Sequence, residues 1–356
     1  MEIQKELSDI AWNVPESTYR ADSALSYSTL ARYEREGFDN LDHLFDKIST
    51  PSLILGSCVD TLITGSQEEF DNLFYVADIP SIGDKEKAVA DILFSQYGEQ
   101  YTSIIDIPYE AILNVADEQS FQKNWREETR VRVLTERCAV YYAVKANAKD
   151  KTIVDLNTYY KVMAMVKALK ESPATHGYFA DDDEMSPVRR YYQLKFKGTI
   201  KGVDYRCMAD LIICDYEDKK IIPCDLKTSG HHEWNFEDSF CKWDYMIQAR
   251  LYWLLIKLNL ANDDYFKDFT LENYRFIVVN KDTLTPLVWE FPLTTVSGTL
   301  IDSQGNEYRD PLEIGTELRA YLDNRPKVPK GISLIGLNTI NCLKKKINLM
   351  LNRYDK

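Results

Sequence analysis

The chain has 356 residues, 45% of them hydrophobic and 28% charged, the make-up of a globular protein long enough for one large domain or two ordinary ones. Its net charge of −13 argues against a broad nucleic-acid coat while leaving room for a local basic channel. No apolar run reaches the length of a bilayer span, the opening MEIQKELSDIAW lacks the apolar core of a signal peptide, and the seven cysteines are scattered without a CxxC pair, so the expectation is a cytoplasmic, reduced protein with no membrane association and no zinc ribbon.

In chain order, residues 1–24 read as a polar arm or a short helix. Ser26 or Ser28 is placed to cap a helix beginning near Thr29, with Leu30, Tyr33 and Phe38 on its inner side. PSLILGSCVDTLITG (Pro51–Gly65) reads as a second helix, with Asp60 inside it. Residues 66–118 carry few strong signals. A long charged helix is expected over Glu118–Lys149, where Val131, Leu134, Cys138 and Tyr141 keep helical spacing and Arg126, Arg130, Arg132 and Arg137 occupy the other faces. Another helix spans Asn157–Glu171 and stops before Pro173. The acidic loop DDDE (Asp181–Glu184) follows.

From Val188 the period changes to that of strands. VRRYYQLKF is a first strand, followed by a turn at Gly198–Gly202. Then comes DYRCMADLIICDYEDKKIIPCDLKTSG (Asp204–Gly230), two apolar runs about the charged break YEDKK, which predicts a β-hairpin. Each run holds one carboxylate, Asp210 and Asp225, where a buried strand should have none. Lys227 lies two residues after Asp225, so both leave the same strand face. With the turn centred on Glu217 and Asp218, Asp210 falls opposite Asp225, at about 4.5–5.5 Å between Cβ atoms. Two bare carboxylates that close repel, and a hard divalent cation between them removes the conflict. Beyond the hairpin, SFCKWDYMIQARLYWLLIKLNL (Ser239–Leu260) reads as one helix with Gln248 and Tyr252 on a shared face. ENYRFIVVN (Glu272–Asn280) and TPLVWEFPL read as paired strands, Asp310–Asp323 as a helix, and the segment from Arg325 as a basic tail ending in a helix. The pattern is α/β (α+β), a mixed central sheet flanked by helices with a helical N-terminal part.

An Asp in one apolar strand, Asp225-Leu226-Lys227 with Thr228 at the end of the next, and a following helix with Gln248-x-x-x-Tyr252 together resemble the PD-(D/E)XK nuclease superfamily. More narrowly, the arrangement is similar to its RecB/RecE/lambda-exonuclease branch. KVMAMVKALKESP (Lys161–Pro173) and the S-x-S-x-L pattern in LSYSTLARYE also resemble segments of those proteins. The resemblance implies a restriction-endonuclease-like core over 176–324, preceded by the arm (1–24) and a mainly helical part (25–175), and followed by the basic tail (325–356). It implies a metal-dependent DNA nuclease, a phage-type exonuclease of recombination, replication or repair, located in the host cytoplasm if phage-encoded.

On the same basis, Asp210 and Asp225 would hold Mg²⁺ or Mn²⁺, joined by the Leu226 carbonyl and by Glu184, the position matching an acidic residue ahead of the first strand. Lys227 would orient the attacking water or neutralise the transition state. Gln248, Tyr252, Thr228 and Arg206 would contact the DNA backbone. The branch places a His after a Gly-x-x-x spacing in an early helix, and here Gly56-Ser-Cys-Val ends in Asp60, itself a competent ligand for a hard metal. Only Cys342 lies in the C-terminal region, so no iron–sulfur cluster is expected. Implied partners are DNA, a single-strand annealing or replication protein, and further copies of the chain. Blander readings stand beside these: a structural Asp225–Lys227 ion pair, Gln248 and Tyr252 as ordinary helix surface, His231 and His232 as surface loop, and a catalytically inactive DNA-binding or assembly subunit.

Overall fold

The computed structural model describes residues 5–38, 41–46, 48–183, 185–293, 297–301 and 305–324. Glu184 and the tail from 325 onward, including Cys342, lie outside them. The helices are α1 (Glu16–Ala21), α2 (Tyr27–Glu36), α3 (Pro51–Thr64), α4 (Gln67–Leu73), α5 (Asp84–Tyr97), α6 (Tyr109–Glu118), α7 (Glu127–Ala148), α8 (Leu156–Glu171), α9 (Phe236–Lys242), α10 (Tyr245–Ala261) and α11 (Pro311–Asp323). A small parallel pair joins β1 (Phe74–Ala77) to β2 (Thr152–Asp155). The main sheet is built from β3 (Val188–Ile200), β4 (Val203–Asp215), β5 (Lys220–Ser229), β6 (Thr270–Leu271), β7 (Tyr274–Asn280) and β8 (Pro286–Phe291).

Its order is β3-β4-β5-β7-β8, with β6 beside β5. Only the β5 contacts to β6 and β7 are parallel, so the sheet is mixed, and α9 and α10 form the crossover that parallel neighbours require. One face packs on α2, α10 and α11 around Leu30, Phe196, Tyr205, Leu255 and Leu318. The other packs on α3 and α8 around Val59, Ile63, Met165, Leu211 and Ile277. The fold class read from the sequence is the one observed.

Several elements differ from expectation. Within residues 5–24 the short helix of the two readings is present as α1, and the segment packs on the sheet: Leu7 is fully buried, and the Trp12 N–H donates to the Lys195 carbonyl at 2.7 Å. The stretch 78–151, between β1 and β2, carries α5, α6 and α7, which enclose a core of their own around Leu93, Ile112, Leu134 and Tyr142. The expected long helix is shortened to α7, and three of its arginines are paired with acids, Arg130 with Asp117 at 2.7 Å, Arg132 with Glu136 at 3.2 Å and Arg137 with Glu86 at 2.9 Å. The single helix expected over Ser239–Leu260 is broken at Trp243–Asp244, where Asp244 has φ 55°. Arg35 pairs with Asp244 at 3.1 Å and the Tyr27 hydroxyl donates to the Trp243 carbonyl at 2.6 Å, tying the break to α2.

Strand β3 runs through Gly198, where a Cβ would come within 2.5 Å of Leu258 Cδ2; glycine there lets α10 approach the sheet. The turn is Lys201-Gly202, with φ 51° and 77° between the paired residues Ile200 and Val203. Two central residues with positive φ are what a tight hairpin with the right-handed strand twist demands. Gly202→Ala keeps open space around the new methyl but forces a Cβ into the left-handed region. It should lower stability by about 1–2 kcal/mol in urea unfolding, and an unchanged midpoint would contradict the turn.

Candidate active site

The β4–β5 register pairs Leu211 with Cys224 and Asp215 with Lys220, the register expected from the turn position. Continued by one step it places Asp210 against Asp225. The ladder stops there. The Leu226 N–H donates instead to the Asp210 carboxylate at 2.9 Å. On the other side of β4, Tyr192 pairs with Leu211 and Leu194 with Ala209, while Gln193, opposite Asp210, drops out with φ 55°. The strand changes faces at this point. Tyr205, Cys207 and Ala209 belong to the α10-side core, Leu211 and Ile213 to the α3-side core, and Ile212 and Cys214 to the α10 side again. The carboxylate that interrupts the apolar run thus marks a shift of the pleat by one residue.

Asp225 is buried at 1% exposure. The Lys227 Nζ contacts Asp225 Oδ2, and the Gln248 Nε2 donates to Asp225 Oδ1. Lys227 also lies 4.8 Å from the Tyr245 ring centroid and 5.8 Å from that of Phe276, in cation–π range. Burial opposes its charge, but Asp225, Tyr245 and Asp210 outweigh that and hold its pKa above the usual lysine value. Lys227 is therefore an ammonium at neutral pH.

Asp60, half-buried on α3, joins this field. Its carboxyl is pushed up to about 7, first by burial and then by Asp225. Asp210 is raised well above the ordinary carboxylate range by burial, then by Asp225 and Asp60. The Gln193 Nε2 lies 3.2 and 3.0 Å from the two Asp60 carboxylate oxygens.

The remaining expected residues divide. Gln248 and Tyr252 share a face of α10, as spaced, but are only 4% and 7% exposed. Gln248 meets a carboxylate rather than solvent, and Tyr252 packs edge-on to Tyr274 at 6.3 Å. The ordinary-surface reading of both is excluded. Arg206 is buried, its Nη1 donating to the Tyr19 carbonyl and its guanidinium 4.8 Å from the Tyr19 ring centroid. By strand alternation Thr228 leaves β5 on the face opposite Asp225 and Lys227, where it faces Gly56 of α3. His231 and His232 are exposed, as expected of a loop. Gln193 and Tyr245 are additions that sequence reasoning missed. Tyr245 was findable, three positions before Gln248 on the same helical face; Gln193 carries no signal in a strand that otherwise alternates regularly.

Among the described residues, no group of three or more His, Cys, Asp or Glu side chains is gathered for metal binding. The donor chemistry nevertheless fits a hard divalent cation. The carboxylates press on one another's ionisation with a single lysine between them. Each carboxylate oxygen keeps a second lone pair after accepting from Lys227 or Gln248. The Gln248 Oε1 is buried with no hydrogen-bond partner, an orphaned oxygen beside the charged pair.

No protein-family profile matches the chain, and no curated protein matches it. Among solved structures, the crystal structure of a protein described as "Putative exonuclease" from Eubacterium rectale aligns with 94% of this chain and 98% of that chain, at 11% sequence identity and a TM-score of 0.42.

Proposed function

We propose that the chain is a metal-dependent deoxyribonuclease of PD-(D/E)XK type, an exonuclease acting on linear duplex DNA in phage-type recombination, replication or repair. The observation that carries this reading is the position of Asp210 and Asp225 one step beyond the last pair of the β4–β5 ladder, with the Leu226 N–H on the Asp210 carboxylate and Lys227 and Gln248 on that of Asp225. Asp210 and Asp225 would hold Mg²⁺ or Mn²⁺, with Asp60 and the Leu226 carbonyl as further oxygen donors. Such an ion supplies activation of water and neutralisation of charge developing on the phosphate. Lys227, held as a cation against Tyr245, would donate to the attacked phosphate and stabilise its added negative charge. Gln248 would fix the rotamer of Asp225 rather than touch DNA, and Tyr252, with Tyr274, would form the floor that keeps Gln248 in place.

A second reading has its own observation. Asp60, Asp210 and Asp225 each already accept from a protein donor, an arrangement that also suits a catalytically inactive nuclease-fold subunit that binds DNA or a replication partner. Digestion of linear and covalently closed duplex DNA, with Mg²⁺ and with EDTA, separates the two. The nuclease releases nucleotides from the linear form only, with Mg²⁺ only, and Asp225→Ala loses this by at least about 10³-fold while still binding DNA. If no linear, nicked or single-stranded DNA is cut with either Mg²⁺ or Mn²⁺, the catalytic reading is refuted for those substrates.

A further inference from the structure

Gln193 stands where the register and the backbone both break. Its φ of 55° lies in the left-handed region, which a residue with a Cβ adopts only when its surroundings hold it there. Its neighbours on both sides keep their pairing to Leu211 and Ala209, so the distortion is confined to one residue. That distortion turns the side chain out of the regular alternation and toward α3, onto a residue 133 positions away in sequence. There the amide spans both oxygens of Asp60, at 3.2 and 3.0 Å.

The chemistry of the contact is selective. A half-buried carboxylate beside Asp225 and Asp210 is repelled by both and would swing toward water. A lysine or arginine in its place of contact would hold it, but would bring a positive charge that competes with an incoming cation. A neutral amide fixes the carboxylate without that competition and leaves one lone pair of each oxygen free. Outer contacts of this kind are how ligand side chains are oriented in metal sites.

We propose that Gln193 is a positioning residue that holds Asp60 toward the Asp210–Asp225 pair, making Asp60 a third oxygen donor to a divalent cation. This rests on the metal-dependent reading above and adds to it a residue outside the motif that suggested it.

Gln193→Gly removes the amide and suits the left-handed backbone, so the fold is retained. Calorimetric titration with MnCl₂ alone, without DNA, is run on wild type, Gln193→Gly, Asp60→Ala, the double variant and Asp225→Ala, with urea unfolding in parallel. Gln193→Gly should bind Mn²⁺ about 10-fold more weakly at an unfolding midpoint no lower than wild type. Asp60→Ala should lose at least as much, and the double variant no more than Asp60→Ala, because the amide acts through Asp60. Wild-type binding that is lost in Asp225→Ala yet kept in Gln193→Gly overturns the role of Gln193 alone, as does a double variant about 10-fold weaker than Asp60→Ala. No binding by wild type, or equal binding by Asp225→Ala, overturns the metal reading and the role of Gln193 with it.

Discussion

Lys227→Met should abolish phosphodiester hydrolysis and lower stability by about 3–5 kcal/mol at pH 8, the cost of leaving a buried charge without its partner. The methionine keeps the unbranched stem against Tyr245 and Phe276, so the loss is electrostatic rather than a cavity. The ammonium is the charge facing Asp225 and, at longer range, Asp210. Without it Asp225, only 1% exposed, faces other carboxylates with the Gln248 amide alone for relief. The penalty should shrink at pH 5.5, where Asp60 holds a proton. Urea unfolding of both proteins at the two pH values checks this, and a loss under about 1 kcal/mol at pH 8 would mean that the pair is not a charged buried contact.

Asp60→Asn should do the opposite to stability while damaging metal binding. The Asp60 carboxyl is pushed up to about 7 by burial and then by Asp225, against about 3.9 in an unfolded chain. Between those values the folded protein holds a proton that the unfolded chain has released. Folding therefore takes up protons, and stability falls as pH rises from about 4 to about 7, then levels. Asp210, raised by burial and by both other carboxylates, acts in the same sense. Asparagine stays neutral, so the difference in stability between Asp60→Asn and wild type should grow across that window by up to about 4 kcal/mol at pH 8. Taking the difference cancels every shared group whose titration does not depend on the Asp60 charge. Urea titrations from pH 4.5 to 8.5 measure it, and a difference independent of pH would remove Asp60 from the shared field of carboxylates. A residue whose replacement stabilises the fold is one the fold keeps at a cost, as functional carboxylates are.

The hairpin was legible because its turn and its apolar runs dictate one register, and that register alone brings Asp210 to Asp225. The lysine followed from the two-residue period of a strand. Legibility failed where backbone conformation is set by tertiary contacts. Asp244 adopts φ 55° inside a run with continuous helical character, and its break is held by Arg35 and Tyr27 from α2. Gln193 reads as one more polar residue in a strand, since nothing in its type announces a left-handed backbone. The burial of Gln248 and Tyr252 was also hidden, because helical spacing tells which residues share a face and not what that face meets. Strands β1 and β2 are four residues each and pair across a long interval, so neither shows a period of its own.

That interval bears on how the site assembles. Pairing Phe74 with Thr152 closes a loop of some 78 residues, and for a flexible chain the length-dependent part of that closure costs about 4 kcal/mol. Helices α5, α6 and α7 pack on one another inside that interval, Arg137 with Glu86 across 51 residues and Tyr142 with Tyr101 across 41, so their contacts span less chain than the closure itself. Once folded they act as a rigid bridge, and the remaining search is short. Closure then sets α3 beside α8 on one face of the main sheet, and α3 carries Asp60. The helical block supplies none of Asp60, Asp210 and Asp225, yet it spans the loop whose ends, β1 and β2, adjoin α3 and α8.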